Sequence, residues 1–156
     1  MQLLSFTIAG EPYAIESRRV VEVLPLVPAR PIPLTPAYVR GVFTYRGALV
    51  PLVDLGRRLA DNPPTERLST RVIVVDYLPP GGRPGRLGLV AENVISIVAA
   101  ERAETSLPAL ELEAAPFLGR ILRIDGRTVQ VVDVDRLLPA ELAAGLFPTS
   151  TAEAAS

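Results

Sequence analysis

The sequence contains no histidine, no cysteine, no lysine and no tryptophan, and all 16 of its basic residues are arginine. Without His or Cys there is no Ser–His or Cys–His nucleophile pair, and without Lys no Schiff base. Zinc sites draw mainly on Cys and His, so no metal site is expected. Carboxylates, hydroxyls, Tyr and Arg remain, but acid–base catalysis near neutral pH most often uses His. The lack of cysteine also rules out disulfides and suits a reducing compartment. Aromatics are scarce, four Phe and four Tyr, and the arginines are scattered over a chain of net charge −1. The basic face with interleaved aromatics that marks a nucleic-acid binder is therefore missing. No run approaches the roughly 18 apolar residues of a membrane span. The richest stretch, Leu87 to Ala100, is broken by Glu92 and Asn93. No basic region precedes an apolar block at the N-terminus, so a signal peptide is not expected and the expected location is the cytoplasm.

What is present is a well-supplied core, with 49% of the 156 residues hydrophobic, enough for one compact domain or two small modules sharing a core. Leu4, Phe6 and Ile8 alternate with Ser5 and Thr7, the period of a half-buried strand. Gly10-Glu11-Pro12 reads as a turn, and Tyr13 to Ile15 as the returning strand. Arg18 to Leu24 fits either a short helix or a strand. Five prolines between Pro25 and Pro36 exclude a helix interior or a central strand, leaving an extended segment against the body. Val39 to Tyr45 and Ala48 to Val53 read as a hairpin across Arg46-Gly47. Asp54 then caps a helix over Leu55 to Ala60. Asp61 to Thr70 reads as a loop. Arg71 to Tyr77 has four consecutive branched aliphatics and reads as a strand buried on both faces. Pro79 to Gly85 is a turn. Leu87 to Ala91 and Val94 to Val98 read as strands with a kink between them, Ala99 to Ala115 as a connection, and Leu118 to Ile124 and Val129 to Val134 as strands across Asp125-Gly126. Arg136 to Leu146 reads as helical, with Pro139 allowed near the start of its second part, and Phe147 to Ser156 as a frayed tail. Nine or ten short strands with one or two short helices point to small barrels or a sandwich.

An internal repeat organises this pattern. Residues 47–59 laid over 126–138 coincide at Gly47/Gly126, Val50/Val129, Val53/Val132, Asp54/Asp133, Arg57/Arg136 and Leu59/Leu138. Each copy is a turn glycine, a strand, a capping Asp and a helical turn. Two such copies imply two similar β modules with a groove between them, a common place for a binding site.

Val20 to Leu24, Ile32-Pro33 and the run Pro36-Ala-Tyr-Val39-Arg-Gly41-Val-Phe-Thr-Tyr-Arg46-Gly47-Ala-Leu-Val50-Pro51-Leu-Val53-Asp54-Leu55 resemble the signature region of CheW-like coupling proteins. Leu87 to Val94 and Pro116 to Leu138 resemble later parts of the same family, so the similarity spans residues 3–140. The resemblance implies an all-β fold with short helices, two intertwined five-stranded SH3-like β-barrels. It implies one domain over residues 1–147 and a disordered tail over 148–156. It implies no catalysis and no cofactor. The implied role is an adaptor between a chemoreceptor's cytoplasmic helical hairpin and the regulatory domain of a CheA-type histidine kinase, at membrane-associated receptor arrays but without membrane insertion. Thr44-Tyr45 and Ala91-Glu92 depart from the family pattern and put partner identity at issue more than fold. The Tyr45-Arg46-Gly47 turn, Leu68-Ser-Thr-Arg71 and Ala115-Pro-Phe-Leu-Gly119 look like the Wsp-type surface-sensing subgroup.

Arg46, beside a turn glycine, reads as a partner-facing guanidinium or as half of an internal ion pair with Glu22 or Asp54. Val20, Val21, Val23 and Leu24 cannot all face one core, and Val21 or Val23 is expected at the surface. The resemblance places further groove residues on the strand holding Gly41, Val42, Phe43 and Tyr45. Gly41 and Gly47 read first as backbone requirements. Asp54 and Asp133 read as caps, and the pair Asp133/Asp135 offers too few oxygens for calcium. Two rivals stand beside the adaptor. One is a β-barrel sensor with a small ligand in a closed polar pocket between the barrels. The other is a carboxylate enzyme using Glu92 or Asp54, which needs two buried carboxylates converging in one cleft.

Overall fold

The computed structural model describes residues 1–60 and 68–148, with the backbone alone at Ile95. Ten strands appear among the described residues: β1 Gln2–Ile8, β2 Glu11–Glu16, β3 Val20–Pro25, β4 Val39–Tyr45, β5 Ala48–Asp54, β6 Thr70–Tyr77, β7 Gly85–Ala99, β8 Thr105–Leu107, β9 Leu118–Ile124 and β10 Arg127–Val132. Two α-helices accompany them, α1 Leu55–Ala60 and α2 Ala140–Leu146, with three single 3-10 turns at Ser17–Arg19, Ala100–Arg102 and Val134–Arg136.

Three two-residue hairpin turns set the local geometry. Ala9-Gly10, Arg46-Gly47 and Asp125-Gly126 all have positive φ at both positions. That is the type I′ turn, whose twist matches the strands it joins.

The pairings fall into two rings. In the first, β4 pairs with β5, β5 runs parallel to β7, and β7 and β6 are antiparallel, as are β6 and β3. The chain beyond β3 then returns to β4 through the Arg30–Val42 bridge. In the second, β9 pairs with β10, β10 runs parallel to β2, and β2–β1 and β1–β7 are antiparallel. The chain beyond β7 returns to β9 as β8. β7 belongs to both rings: its first half pairs with β5 and β6, and its second half with β1. The crossing point is Glu92-Asn93. Asn93 has φ 49° and the β1–β7 register shifts there. The kink expected at this place is thus a bulge within one strand rather than a break between two.

Alternation sorts the side chains into three cores. Leu4, Phe6 and Ile8 of β1 join Ile73, Val75 and Tyr77 of β6 and Leu87, Leu89 and Ala91 of β7 in the core shared by both rings. The opposite face of β6, Val72 and Val74, packs with Phe43, Tyr45, Val50 and Leu52 inside the first ring. Leu3, Ala14, Leu122, Ile124 and Val129 fill the second. Val72, Ile73, Val74 and Val75 are all fully buried, so β6 is the two-faced strand its sequence predicts. Full burial of each such side chain contributes roughly 1.5–3 kcal/mol.

Four assignments are corrected. The turn after β1 is Ala9-Gly10, and Glu11-Pro12 already belongs to β2. The stretch 99–115 holds a 3-10 turn and β8, and just before β8 the Glu104 N–H donates to the Arg123 carbonyl at 2.7 Å. Arg136 to Leu146 is not one helix, because the fixed φ and missing N–H of Pro139 make it the cap of a new one. Phe147, assigned to the tail, packs on Tyr77 with ring centroids 5.1 Å apart. The expected loop over 61–67 and the tail beyond 148 lie outside the described residues.

The duplication extends further than its sequence signature. β4–turn–β5 and β9–turn–β10 follow the same element order at the same sequence spacing. Asp54 N–H donates to the Tyr38 carbonyl at 2.7 Å, and Asp133 N–H donates to the Phe117 carbonyl at 2.8 Å. Between these two aromatics sits Arg58. Its guanidinium lies 4.9 Å from the Tyr38 ring centre and 4.6 Å from that of Phe117. Its Nε donates to the carbonyl of Leu137 at 2.7 Å, the residue that occupies the same place in the second copy. A second clamp joins the rings nearby. Arg19 grips both oxygens of Asp135, at 3.0 and 2.5 Å, and donates to the Asp76 carbonyl at 2.7 Å. Burial alone would raise the Asp135 carboxyl, but the hydrogen bonds from Arg19 and the Leu78 N–H outweigh it and hold it below its ordinary value.

Candidate functional site

The β4–β5 hairpin ends in Arg46, whose φ of 49° swings its side chain away from the strand. That side chain is 61% exposed. It stacks on the Tyr45 ring at 5.0 Å and donates to Glu22 Oε1 at 3.0 Å. The Tyr45 hydroxyl donates to the same oxygen at 2.5 Å. Donation to Glu22, and then burial, hold the phenol above its ordinary value. Arg86 of β7 approaches the same ring at 5.6 Å. The internal ion pair with Glu22 thus forms, but between exposed side chains, where such pairs contribute under about 1 kcal/mol. Among the described residues, one of the five guanidinium N–H groups is used, on Glu22, which leaves donors for a partner.

Glu22 lies on β3, between the two valines. Val20 packs against the shared core and Val21 against the first ring's core. As neighbours in a strand they point to opposite faces, and the register of β3 shifts between Val20 and Glu22. Val23 is 39% exposed, so of the two valines it is the one at the surface. Glu22 thus reaches the Arg46 turn beside half-buried Val21, while Val23, the next residue in a regularly paired stretch of β3, is exposed on the opposite face of the strand.

The rest of β4 is placed otherwise. Val42 is half-buried and carries the Arg30 bridge, with N–H to carbonyl distances of 2.8 and 2.9 Å. Phe43 and Tyr45 are inside, 7% and 6% exposed. Phe43 is seated on Gly88, where an added Cβ would come within 2.7 Å of its ring. Gly41 is a backbone requirement: its φ is 135°, and a Cβ would run into the Arg30 carbonyl. So β4 supplies the face with its tip and its backbone, while its aromatic side chains hold the tip in place. Arg86 was not singled out from the sequence, since nothing local places it opposite Tyr45.

The carboxylates weighed for chemistry have other work. Asp54 is 2% exposed and caps α1 through the Arg57 N–H at 3.2 Å. No second buried carboxylate accompanies it among the described residues, and Glu92 is only half-buried on β7. Asp133 caps the 3-10 turn through the Asp135 N–H at 3.1 Å. No group of three metal-ligating residues occurs among the described residues. A surface cleft of about 190 Å³ lies on the second ring, beside the β7 bulge, with Ser5, Thr7, Asn93, Ser96 and Arg127 among its walls. It is not between the rings, where a sensor would hold its ligand. No described helix is long and apolar enough to cross a membrane.

Residues 2–142 match the model of a protein family described as "CheW-like domain". The chain is 30% identical over 142 residues to the chemotaxis protein CheW of Rhizobium meliloti (strain 1021), covering 90% of this chain and 88% of the relative. It is 29% identical over 143 residues to that of Klebsiella aerogenes, covering 90% and 82%. Among solved structures, the scaffolding protein TtCheW from Thermoanaerobacter tengcongensis matches 88% of this chain and 87% of its own, with a TM-score of 0.72 at 24% identity.

Proposed function

The chain belongs to the CheW-like domain family, and from that membership we propose that it joins a chemoreceptor's cytoplasmic helical hairpin to the regulatory domain of a CheA-type histidine kinase. It is a chemotaxis scaffold and not an enzyme; it acts by holding two other proteins in place. We read each closed ring of pairings as a five-stranded SH3-like barrel, β7 and its continuation β8 counting as one strand of the second, the two intertwined through β7 and forming one domain over residues 1–147. The working location is the cytoplasm, at the membrane-associated arrays where receptors cluster. The surface-sensing subgroup rests on sequence resemblance alone, since the relatives named above are chemotaxis proteins.

The observation that carries the docking role is the Arg46 turn. A left-handed arginine stands at the tip of a hairpin, fixed by Tyr45 and Glu22 but open to solvent. Preorganised guanidinium forks suit recognition of carboxylates and carbonyls on another protein. Val21, Val23, Gly41, Val42, Phe43 and Tyr45 belong to the same site in graded ways. Val23 and Val42 contribute apolar contact, Val21 and Gly41 shape the strands beneath, and Phe43 and Tyr45 support the tip.

Pull-down with a CheA-type regulatory domain and with a receptor hairpin tests the reading. Arg46→Ala is expected to weaken capture of the kinase domain at least about thirtyfold, the loss of an interface hot spot, with an unchanged circular dichroism spectrum. Undiminished kinase binding by a folded Arg46→Ala removes the turn from the kinase contact.

A further inference from the structure

The mouth of the first ring carries a second guanidinium beside that of Arg46. Arg86 is the second residue of β7. Gly88, two positions on, faces the ring interior, since a Cβ there would meet Phe43 and Leu52. Alternation puts Arg86 on that face too, while Leu87 and Leu89 take the other, in the shared core. On β4, Phe43 and Tyr45 point into the same interior. Arg86 and Tyr45 thus meet at one end of the first ring, on the side away from the core that both rings share.

The acids nearby do not satisfy Arg86. Glu22 accepts from the Tyr45 hydroxyl and from Arg46. Asp76 is level with Arg86 across the β6–β7 ladder. Yet among the described residues Arg86 makes no ion pair and no side-chain hydrogen bond, with Asp76 or any other. What it touches is the Tyr45 ring, 5.6 Å from its guanidinium, with Arg46 5.0 Å from the same ring. Arg86 is half-buried. A cation partly out of water with no acceptor is costly to hold, and an acceptor from outside relieves that cost. A carboxylate suits both arginines at once. It has two oxygens, and each guanidinium presents a planar fork of donors. Stacking against one ring holds both forks in place beforehand.

We propose that Arg46 and Arg86 together grip one Asp or Glu side chain of the kinase regulatory domain, with the Tyr45 ring supporting both. This rests on the scaffold reading above, which gives the Arg46 turn to the kinase domain, and adds a residue and a partner chemistry to it. The cluster is continuous with that turn and faces away from the shared core, which selects the protein docked on the turn over one lodged between the rings.

Titration of the kinase regulatory domain and of the receptor hairpin against the full chain, Arg86→Met and Arg86→Lys tests it. Methionine keeps an apolar stem on the Tyr45 ring and drops the charge. Arg86→Met should bind the kinase domain about tenfold more weakly and the receptor hairpin within about twofold of the parent. It should melt within about 2 °C of the parent, as a surface change does. Arg86→Lys keeps the charge without the fork and should fall between parent and Arg86→Met. One Asp or Glu of the kinase domain, changed to Asn or Gln, should weaken binding of the parent to a similar extent. The same change should add nothing to the loss in Arg86→Met and should blunt the loss in Arg46→Ala. Kinase binding by Arg86→Met within about twofold of the parent overturns the proposal, since a hot spot costs more. So does an equal loss toward the receptor hairpin, or a scan of the kinase domain's acids in which no position cancels the loss. A lowered melting temperature in Arg86→Met overturns it too, because it makes the arginine part of the fold. A parent chain that binds neither domain overturns the scaffold reading itself and this inference with it.

Discussion

The hairpin tips at Arg46-Gly47 and Asp125-Gly126 hold equivalent places in two copies of one unit, with φ values within a few degrees of each other. Their backbones are interchangeable and their chemistry is opposite. The first carries a guanidinium stacked on a tyrosine; the second carries a carboxylate 3.6 Å from Arg102. The difference continues along the copies. Asp54 is buried and starts a helix of six residues, whereas Asp133 is exposed and starts a 3-10 turn of three. Gly41 is wedged under the Arg30 carbonyl, while its counterpart Arg120 is exposed and reaches Ser106. The two copies share one backbone plan and differ wherever turn geometry and core packing do not object.

The largest expected asymmetry is at that last pair. Gly41→Ala should destabilise by at least about 3 kcal/mol, because both φ and space forbid a Cβ, while Arg120→Ala should stay within about 0.5 kcal/mol. Urea midpoints of the two variants check this, and similar losses at both positions would break the comparison. Next in size is the joint between the copies. Arg58→Ala removes two cation–π contacts and a hydrogen bond to Leu137, and should cost about 2 kcal/mol. Arg58→Lys should recover less than half of that, since an ammonium cannot stack as a plane between two rings. Full recovery by lysine in thermal melts would mean that charge alone matters there. The smallest is at the caps. Asp54→Ala should cost about 1–2 kcal/mol and Asp133→Ala about 0.5 kcal/mol. Equal or reversed losses by chemical denaturation would show that burial does not separate the two caps.

Much of this was legible before the coordinates, for physical reasons. β4, α1 and β9 run over the predicted residues because glycine turns, a capping Asp and clean alternation bound them. β8 was not legible, since three exposed residues carry no period. Pro139 marks the start of a second part of the stretch 136–146 in the sequence, but not that the first part is only the end of a 3-10 turn. At the candidate site, Arg46 and the exposure of Val23 follow from local pattern, and the pairing of Arg46 with Glu22 was weighed. Phe43 and Tyr45 could not be assigned to core or groove from alternation, which says that residues share a face but not what covers it. Arg58 left no mark in the sequence, although extending the repeat backward by its own spacing would have matched Tyr38 with Phe117, the two rings that hold it.

The passage of β7 from one ring to the other has a consequence for how the molecule yields to force or heat. Each half of the polypeptide lends its first hairpin to the sheet completed by the other half. Neither half can fray by itself, because peeling either one away opens both sheets at once. A body that must come apart all together is a stiff spacer, and stiffness is what lets a protein with no chemistry of its own fix the distance between two others.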